Sequence, residues 1–245
     1  MSKQGEINYI KMSGRHDCKR IFDKPFSDPE AGRYLMQIGL VLLVLPPPPA
    51  KLIDLGCGTG WTSCFFAKVG YDVLGVDISP DMIDLANQNK RRHDLENVEF
   101  LVEDYEALEL PEKFDCATFL NSLHHAENEH TVIASVYDLL KDGGVCVTSE
   151  PGVGHSDTEA AITRKKRFNV TEKDMPPKHI IKIAKQCGFR KYNVFPHADS
   201  IAYYSMYRVI NSSKNLREIK MFMRLIKLVW TFLKKRNSGV VVLYK

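Results

Sequence analysis

A glycine-rich turn at 54–60, with the sequence DLGCGTG, constrains the fold of this chain more than any other feature. A short apolar strand predicted over 51–55 runs into the turn, and a helix predicted over 62–69 leaves it. The three glycines let the backbone approach a ligand closely, since a Cβ atom would be in the way. The N-terminus of the helix adds unpaired N–H groups and a partial positive potential. The turn is therefore predicted to bind a ligand.

Strands and helices alternate after this turn. Strands are predicted over 51–55, 72–76, 98–102, 114–120 and 145–149, and helices over 62–69, 80–90 (with Ser79 as N-cap) and 129–140. Most of these strands are continuously apolar, which is typical of a parallel sheet covered on both faces. The predicted fold class is α/β, a Rossmann-like doubly wound sheet.

The flanking segments are less regular. We interpret 1–50 as an N-terminal helical extension, in which a helix over 29–45 begins at Pro29 with Asp28 as its N-cap. The main domain is predicted over 51–245, with an amphipathic insertion at 199–237. The remaining predictions are irregular chain over 152–174, a helix over 176–186, a strand over 192–195 and a last strand over 239–244.

The composition favours a reducing compartment. The six cysteines include no CxxC pair, so neither a disulfide framework nor a zinc knuckle is expected. The first eleven residues are polar and lack the apolar core of a signal peptide. We therefore expect a cytoplasmic protein.

The spacing of the turn distinguishes two kinds of nucleotide-like ligand. The dinucleotide fingerprint is G-x-G-x-x-G, but here Trp61 stands where its third glycine would be. Asp54, just before the first glycine, would repel a pyrophosphate. A ligand with an ammonium group and no phosphate fits better, and S-adenosylmethionine meets that description.

Two further carboxylates end neighbouring strands. Asp77 follows the second strand, where it can accept hydrogen bonds from both hydroxyls of a ribose. Asp104 follows the third strand, where it can accept from an adenine amino group. With Asp54, these residues are expected to surround one crevice at the carboxyl edge of the sheet.

On these motifs, residues 51–150 resemble the class I S-adenosylmethionine-dependent methyltransferases, in the broad branch that includes the ubiquinone and menaquinone C-methyltransferases. The resemblance also rests on GVDISP at 75–80, Glu103-Asp104 and LLKDGG at 139–144. It implies a seven-stranded sheet whose last strand is antiparallel. It also implies that the three glycines hold the methionine moiety, Asp77 the ribose and Asp104 the adenine. The predicted donor contacts are Asp54, Gly56, Cys57, Gly58, Gly60, Asp77, Ile78, Asp104, Tyr105 and Asn121.

Candidate catalytic groups follow the fourth and fifth strands. They are His124, His125, Glu150 and His155. A hydroxyl acceptor gains from a base with a pKa near neutrality, so O-methylation is slightly favoured. His124 and His125 could instead shape the pocket or cap the next helix, and His155 could be a solvated loop residue. No metal site is expected, because His125, Glu127 and His130 match no zinc pattern.

The segment 214–236 concentrates the positive charge of the chain. It carries eight basic residues and one acidic residue, a net +7, so the rest of the chain carries −3 of the total +4. Its apolar residues share one helical face, which indicates either a helix on the protein core or lid, or a peripheral contact with the inner face of a membrane. The expected acceptor is a small or lipid-linked molecule, and no nucleic acid is expected.

The sequence is compatible with two alternatives. One is a nicotinamide-dependent oxidoreductase, which the missing third glycine and Asp54 oppose. The other is a non-catalytic, donor-binding partner subunit at a membrane.

Overall fold

The computed structural model describes residues 3–197, 223, 226, 229, 230 and 238–245. These residues include a seven-stranded sheet in the order β3-β2-β1-β4-β5-β7-β6. The strands are β1 Lys51–Leu55, β2 Asp72–Asp77, β3 Val98–Val102, β4 Phe114–Leu120, β5 Leu140–Glu150, β6 Lys191–Pro196 and β7 Gly239–Tyr244. β7 lies antiparallel between β5 and β6, while β1 to β5 are parallel. The predicted Rossmann-like fold with an antiparallel last strand is confirmed.

Eight α-helices cover and extend this sheet within the described residues. They are α1 Lys3–Met12, α2 Arg15–Phe22, α3 Ala31–Val44, α4 Trp61–Val69, α5 Pro80–Arg92, α6 Glu129–Leu139, α7 Glu159–Phe168 and α8 Pro177–Gln186. Helices α6 and α8 pack on one face of the sheet, around buried residues such as Ile133 and Ile180. Helices α3 and α4 pack on the other face, around Val41 and Phe66. The sheet is thus buried on both sides, as continuously apolar strands require.

Most predicted element boundaries agree with the structure, and β5 shows why one does not. It begins at Leu140, five residues before the predicted start. Phe114 pairs with Leu140 and Cys116 with Val145, so a register shift lies between the two pairs. The strand therefore includes the Gly143-Gly144 pair, which lies outside the predicted strand over 145–149.

Helix α3 begins two residues later than predicted. Its N-cap is Glu30, not Asp28. Asp28 instead forms a turn, because its Oδ1 accepts from the Glu30 N–H and its carbonyl accepts from the Ala31 N–H. Pro29 thus belongs to the turn and not to the helix.

Helix α7 lies inside the segment 152–174, which was wrongly predicted to be irregular. Thr158 caps the helix, since its Oγ1 accepts from the Ala161 N–H at 3.2 Å. Asn169 ends it in a left-handed conformation with φ of 57°. A threonine cap, an acidic first turn and a basic last turn were present in the sequence, so this helix could have been predicted.

The N-terminal helices α1 and α2 lie against the domain that begins at β1. The Ser79 hydroxyl donates to the Ile7 carbonyl of α1, and the Thr59 hydroxyl donates to the Ile21 carbonyl of α2. Gly5 faces the backbone carbonyls of Phe168 and Asn169 so closely that a Cβ atom would not fit. The extension therefore packs over the glycine-rich turn and the end of α7.

Most of the amphipathic segment lies outside the described residues. Within it, the described residues Met223, Ile226, Val229 and Trp230 are helical and exposed. Among the residues described, no helix is both long and apolar enough to cross a membrane.

Candidate active site

A cavity of about 1010 Å³ lies at the carboxyl ends of the parallel strands. The glycine-rich turn, the ends of β2 and β3, and the loops after β4 and β5 contribute to its wall. Helix α1 and the segment around α2 form the opposite side. This is the edge at which open α/β sheets bind ligands.

The glycine-rich turn has the backbone conformation that its glycines predict. Gly56, Gly58 and Gly60 all have φ between 55° and 71°, a region that L side chains rarely adopt. A Cβ atom on Gly56 would lie 2.5 Å from that of Ser122, whereas one on Gly58 would meet no atom within 4 Å. Gly56, Cys57 and Gly58 line the cavity, while Gly60 packs below them against Phe100. The first two glycines are therefore the ones that can approach a ligand.

Asp54 does not lie in the cavity wall, contrary to the expectation that it meets a ligand ammonium group. It is buried, with an exposed fraction of 1%, under the turn. Its Oδ2 accepts from the Thr62 and Ser63 hydroxyls at 2.6 and 2.7 Å, and its Oδ1 accepts from Thr118 at 2.8 Å. Asp54 thus joins β1, α4 and β4, and acts on the site only by holding the turn.

Asp77 meets the turn directly. Its Oδ2 accepts from the Gly58 N–H at 2.8 Å, and its Oδ1 accepts from the Ser79 N–H at 2.9 Å. Burial raises the pKa of Asp77 to about 6, although these two N–H groups oppose the shift. Asp77 and Ile78 both line the cavity, as predicted.

Asp104 and Tyr105 also line the cavity. The Lys3 ammonium of α1 donates to Asp104 Oδ2 at 2.5 Å and lies 3.7 Å from Glu106. The Tyr105 hydroxyl donates to the Ser122 carbonyl at 3.1 Å. The carboxylate expected to contact adenine is therefore paired with a helix that the sequence did not connect to the donor site.

Asn121 begins the loop after β4 in a left-handed conformation, with φ of 57°. Its Nδ2 donates to Gln37 Oε1 at 3.3 Å, and Gln37 Nε2 donates to Ser149 Oγ at 2.8 Å. His197 Nε2 lies 3.1 Å from the same Ser149 oxygen. Asn121, Gln37 and His197 were not connected by the sequence interpretation, because they come from different loops and helices.

His124 is held by Glu150. The Glu150 carboxylate accepts from the backbone N–H groups of Ser122, Leu123 and His124, and its Oε2 lies 2.6 Å from His124 Nδ1. Burial raises the pKa of Glu150 to about 7 and lowers the pKa of His124 well below its ordinary value. His124 lines the cavity, but Glu150 does not. Glu150 is therefore a positioning residue and not a base that faces an acceptor.

His125 is held from the other side of the loop. Its Nδ1 lies 2.6 Å from the Thr171 carbonyl oxygen and 3.3 Å from Glu6 Oε1 of α1. Burial alone would lower the pKa of His125, but Glu6 and Glu172 outweigh it and raise the pKa to about 9. His125 thus tends to be protonated, unlike His124.

His155 pairs with Glu172, a residue that the sequence interpretation missed. His155 Nε2 lies 2.6 Å from Glu172 Oε2, and Arg164 donates to Glu172 Oε1 at 2.7 Å. Burial alone would raise the pKa of the Glu172 carboxyl, but His155, His125 and Arg164 outweigh it and lower the pKa to about 2. His155 is therefore not an isolated loop residue.

Residues 48–218 match a family model described as a methyltransferase domain. The chain belongs to this methyltransferase family. The assignment confirms the predicted class I S-adenosylmethionine-dependent methyltransferase and not the nicotinamide-dependent alternative. It agrees with the seven-stranded sheet and its antiparallel last strand, which the resemblance to this class implies.

Individual proteins that this methyltransferase resembles at modest identity are also methyltransferases by name. A ubiquinone biosynthesis O-methyltransferase of Xanthomonas campestris pv. campestris is 34% identical over 107 residues, 42% of this chain and 43% of that protein. Phosphoethanolamine N-methyltransferase 2 of Haemonchus contortus, solved with S-adenosyl-L-methionine, superposes with a TM-score of 0.67 at 18% identity, over 100% of this chain and 59% of that one. An S-adenosylmethionine-dependent methyltransferase from Mesorhizobium loti superposes with a TM-score of 0.60 at 18% identity, over 86% of this chain and 98% of that one.

The similarity to the curated protein is confined to part of each chain, since this methyltransferase spans less than half the length of that relative. The two solved structures, at this identity, show the fold alone.

Proposed function

We propose that this methyltransferase transfers the methyl group of S-adenosylmethionine to a hydroxyl oxygen of a small-molecule acceptor. The observation that carries the proposal is the His124–Glu150 pair beside the donor half of the cavity, with Nδ1 and Oε2 2.6 Å apart. A neutral amine is already a good nucleophile, whereas a hydroxyl becomes one only as it loses its proton. A neutral histidine has a lone pair free for that proton, and the Glu150 carboxylate would stabilise the imidazolium that forms, which offsets the lowered pKa of His124.

The donor is proposed to bind where the turn and the strand ends meet. Gly56 and Gly58 would lie along its methionine moiety, Asp77 would accept from the ribose hydroxyls, and Asp104 would accept from the adenine amino group. Cys57, Ile78, Tyr105 and Asn121 complete the proposed donor contacts. Support comes from the lining of the cavity and from the open space beside Gly58.

The acceptor is proposed to bind beyond the methyl group, against His124, His125 and Glu172. An oxygen–carbon bond forms as the carbon–sulfur bond breaks, so the sulfonium becomes a neutral thioether. The hydroxyl proton leaves toward the lone pairs of this cluster. Because the donor is already activated, most of the rate enhancement comes from positioning and from the exclusion of water.

The oxygen acceptor gains support from one relative. The Xanthomonas protein is named as an O-methyltransferase of ubiquinone biosynthesis. A phenol or a catechol is therefore a reasonable first acceptor to test.

The test is a methyl-transfer assay with labelled S-adenosylmethionine and matched phenol, catechol and alkylamine acceptors. O-methyl product that falls at least about 100-fold in His124→Gln, with donor affinity retained, would support the proposal. His179→Gln is the control, since this histidine of α8 pairs with Glu129 outside the cavity lining. Faster transfer to amines, unaffected by His124→Gln, would overturn it. Donor binding without turnover on any acceptor would instead favour the non-catalytic partner subunit.

A lipid-linked acceptor is the second part of the proposal. The described residues Met223, Ile226, Val229 and Trp230 are 60%, 47%, 48% and 56% exposed and recur at helical spacing. Together with the basic residues of 214–236, they suit a helix that lies in a membrane interface. Co-sedimentation with phosphatidylglycerol vesicles, lost in Lys220→Glu/Lys227→Glu and absent with phosphatidylcholine, would support this part. No sedimentation with either vesicle would overturn this part of the proposal and favour a water-soluble acceptor.

A further inference from the structure

Three potential metal ligands converge beside the cavity. A ring nitrogen of His124, a ring nitrogen of His125 and a carboxylate oxygen of Glu172 all lie within 4.8 Å of one another. The three residues also line the cavity, so a bound ion would keep positions open toward it. Two histidines and one carboxylate with open positions are a recurrent ligand set for divalent transition metals.

The hydrogen bonds between His124 and Glu150 leave the ring lone pair of His124 on the side of Glu172. Glu150 already accepts three backbone N–H groups, so we assign the proton between the two residues to His124 Nδ1. The lone pair then lies on Nε2, which is 3.6 Å from Glu172 Oε2. A neutral lone pair facing a carboxylate at this distance is unfavourable unless a proton or a cation lies between them. The carboxylate behind the histidine is the outer-shell arrangement usual in metal sites.

His125 is oriented in the same way by a different group. The Thr171 carbonyl can only accept a hydrogen bond, so the proton belongs on His125 Nδ1, 2.6 Å away. Its second ring nitrogen is then the one available to a ligand. Both imidazoles are thus fixed by groups outside the cluster and not by each other.

Glu172 has the charge and burial that a ligand needs. Its side chain is fully buried, and Arg164 and His155 both hydrogen-bond to it, which favours the ionised form. Glu6, Glu150 and Glu172 surround the two histidines, while Arg164 is the nearest permanent cation among their described partners. A divalent cation bound by the two histidines and Glu172 would offset this negative charge.

We propose that His124, His125 and Glu172 bind a divalent transition-metal cation, for which Zn²⁺ is the first probe. The ligand set differs from His125, Glu127 and His130, whose sequence spacing had not predicted a metal site. On the proposed function, and only for its role, the cation would replace His124 as the group that activates the acceptor: it would bind the acceptor oxygen and lower the pKa of its hydroxyl. The released proton would pass to solvent, and the oxygen would then attack the methyl carbon.

The experiment is titration of the chelator-treated protein with Zn²⁺, and with Co²⁺ to read the coordination geometry from its visible spectrum. About one cation per chain is expected. Its affinity should fall by at least about 100-fold in His124→Ala and Glu172→Gln, because even outer-shell changes cost about 10- to 100-fold. Glu150→Gln, which keeps a hydrogen-bonding group behind His124, should lose about 10-fold.

His130→Ala is the matched control. His130 Nε2 lies 3.8 Å from Cys187 Sγ, so this partly exposed pair could bind Zn²⁺ adventitiously. Circular dichroism checks that every variant folds. Binding that is retained in Glu172→Gln and His124→Ala but lost in His130→Ala would overturn the proposal, as would the absence of Zn²⁺ and Co²⁺ binding to folded protein.

Titration in the absence of acceptor separates this inference from the methyl-transfer proposal. Cation binding at the cluster without any methyl transfer would retain the site and overturn the function. Unchanged methyl transfer by chelated protein would overturn the role of the cation in the reaction.

Discussion

Lys3 Nζ lies 2.5 Å from Asp104 Oδ2, so an ion pair joins the first described residue of α1 to the end of β3. Asp104 Oδ1 already accepts from the Glu106 N–H at 2.9 Å. An adenine amino group that bonds to Asp104 must therefore share or displace the lysine. On the proposed donor site, the N-terminal extension thus competes with the adenine amino group for this carboxylate.

Lys3→Met should tighten donor binding by about 3- to 10-fold, since one competing hydrogen bond to a charged group is removed. Calorimetric titration with S-adenosylmethionine measures the change. Lys11→Met is the control, because Lys11 pairs with Asp81 of α5, 3.5 Å away, and not with a donor carboxylate. Weaker binding in Lys3→Met alone would show that the lysine contacts the donor itself.

Donor affinity should depend on pH through Asp77, whose pKa burial raises to about 6. As pH falls through 6, the unliganded carboxyl gains a proton and accepts fewer hydrogen bonds from the ribose. Affinity should be level above about pH 7 and fall toward about tenfold per unit well below pH 6. Because this pKa is above its unfolded value, Asp77 favours folding at low pH and loses that contribution as pH rises through 6. Protonation of Asp77 therefore does not destabilise the fold at low pH, and the weaker donor binding below pH 6 should not result from unfolding.

Asp77→Asn tests this pH dependence. The variant should bind the donor about 10- to 100-fold more weakly at pH 8, as expected for a charged hydrogen-bond acceptor, and show a flatter profile between pH 5 and 8. Asp72→Asn, at the other end of β2, should behave like the original protein. An unchanged profile in Asp77→Asn would assign the dependence to another group.

Asp54→Asn should destabilise the fold without abolishing donor binding. The carboxylate accepts three hydroxyl groups in the core, and an amide can satisfy fewer of them. We expect a loss of about 1 to 3 kcal/mol in the free energy of unfolding, measured by denaturant titration. Thr118→Val, which removes one of the three donors, should cost less. An Asp54→Asn variant that keeps full stability but loses donor binding would show that Asp54 contacts the donor.

Glu129 should stabilise the protein above the acid range. Partial burial alone would raise its pKa, but Lys173 at 2.8 Å and His179 at 3.0 Å outweigh burial and lower the pKa to about 2. The stabilisation is present above the unfolded pKa and is lost as pH falls from about 4.5 to 2. Glu129→Gln should cost about 1 kcal/mol at pH 7, after allowance for solvent screening, and nothing near pH 2.

Urea titrations at several pH values measure this difference. Glu109→Gln, a change at an exposed glutamate, is the comparison and should show no such pH dependence. A constant deficit in Glu129→Gln at every pH would indicate lost packing and not lost charge.

The strand limits could be predicted because the relevant information is local. β1, β3 and β4 are apolar runs bounded by polar or glycine residues, and their predicted limits match the structure. The prediction that Asp54 meets the ligand was wrong for a non-local reason. The Thr118 hydroxyl, which donates to Asp54, lies on β4 and is distant in the sequence. Glu172 was missed because it meets His124 only after the loop beyond α7 folds back, where the Lys173 N–H donates to the His124 carbonyl.

Helix α1 contacts both halves of the cavity. Lys3 meets Asp104 on the donor side, while Glu6 lies beside His125 and accepts from the Thr171 N–H on the acceptor side. On the proposed donor and acceptor sites, a shift of α1 that admits one ligand alters the binding surface for the other. The two binding equilibria are then coupled through α1, and each ligand changes the affinity of the other by the same factor.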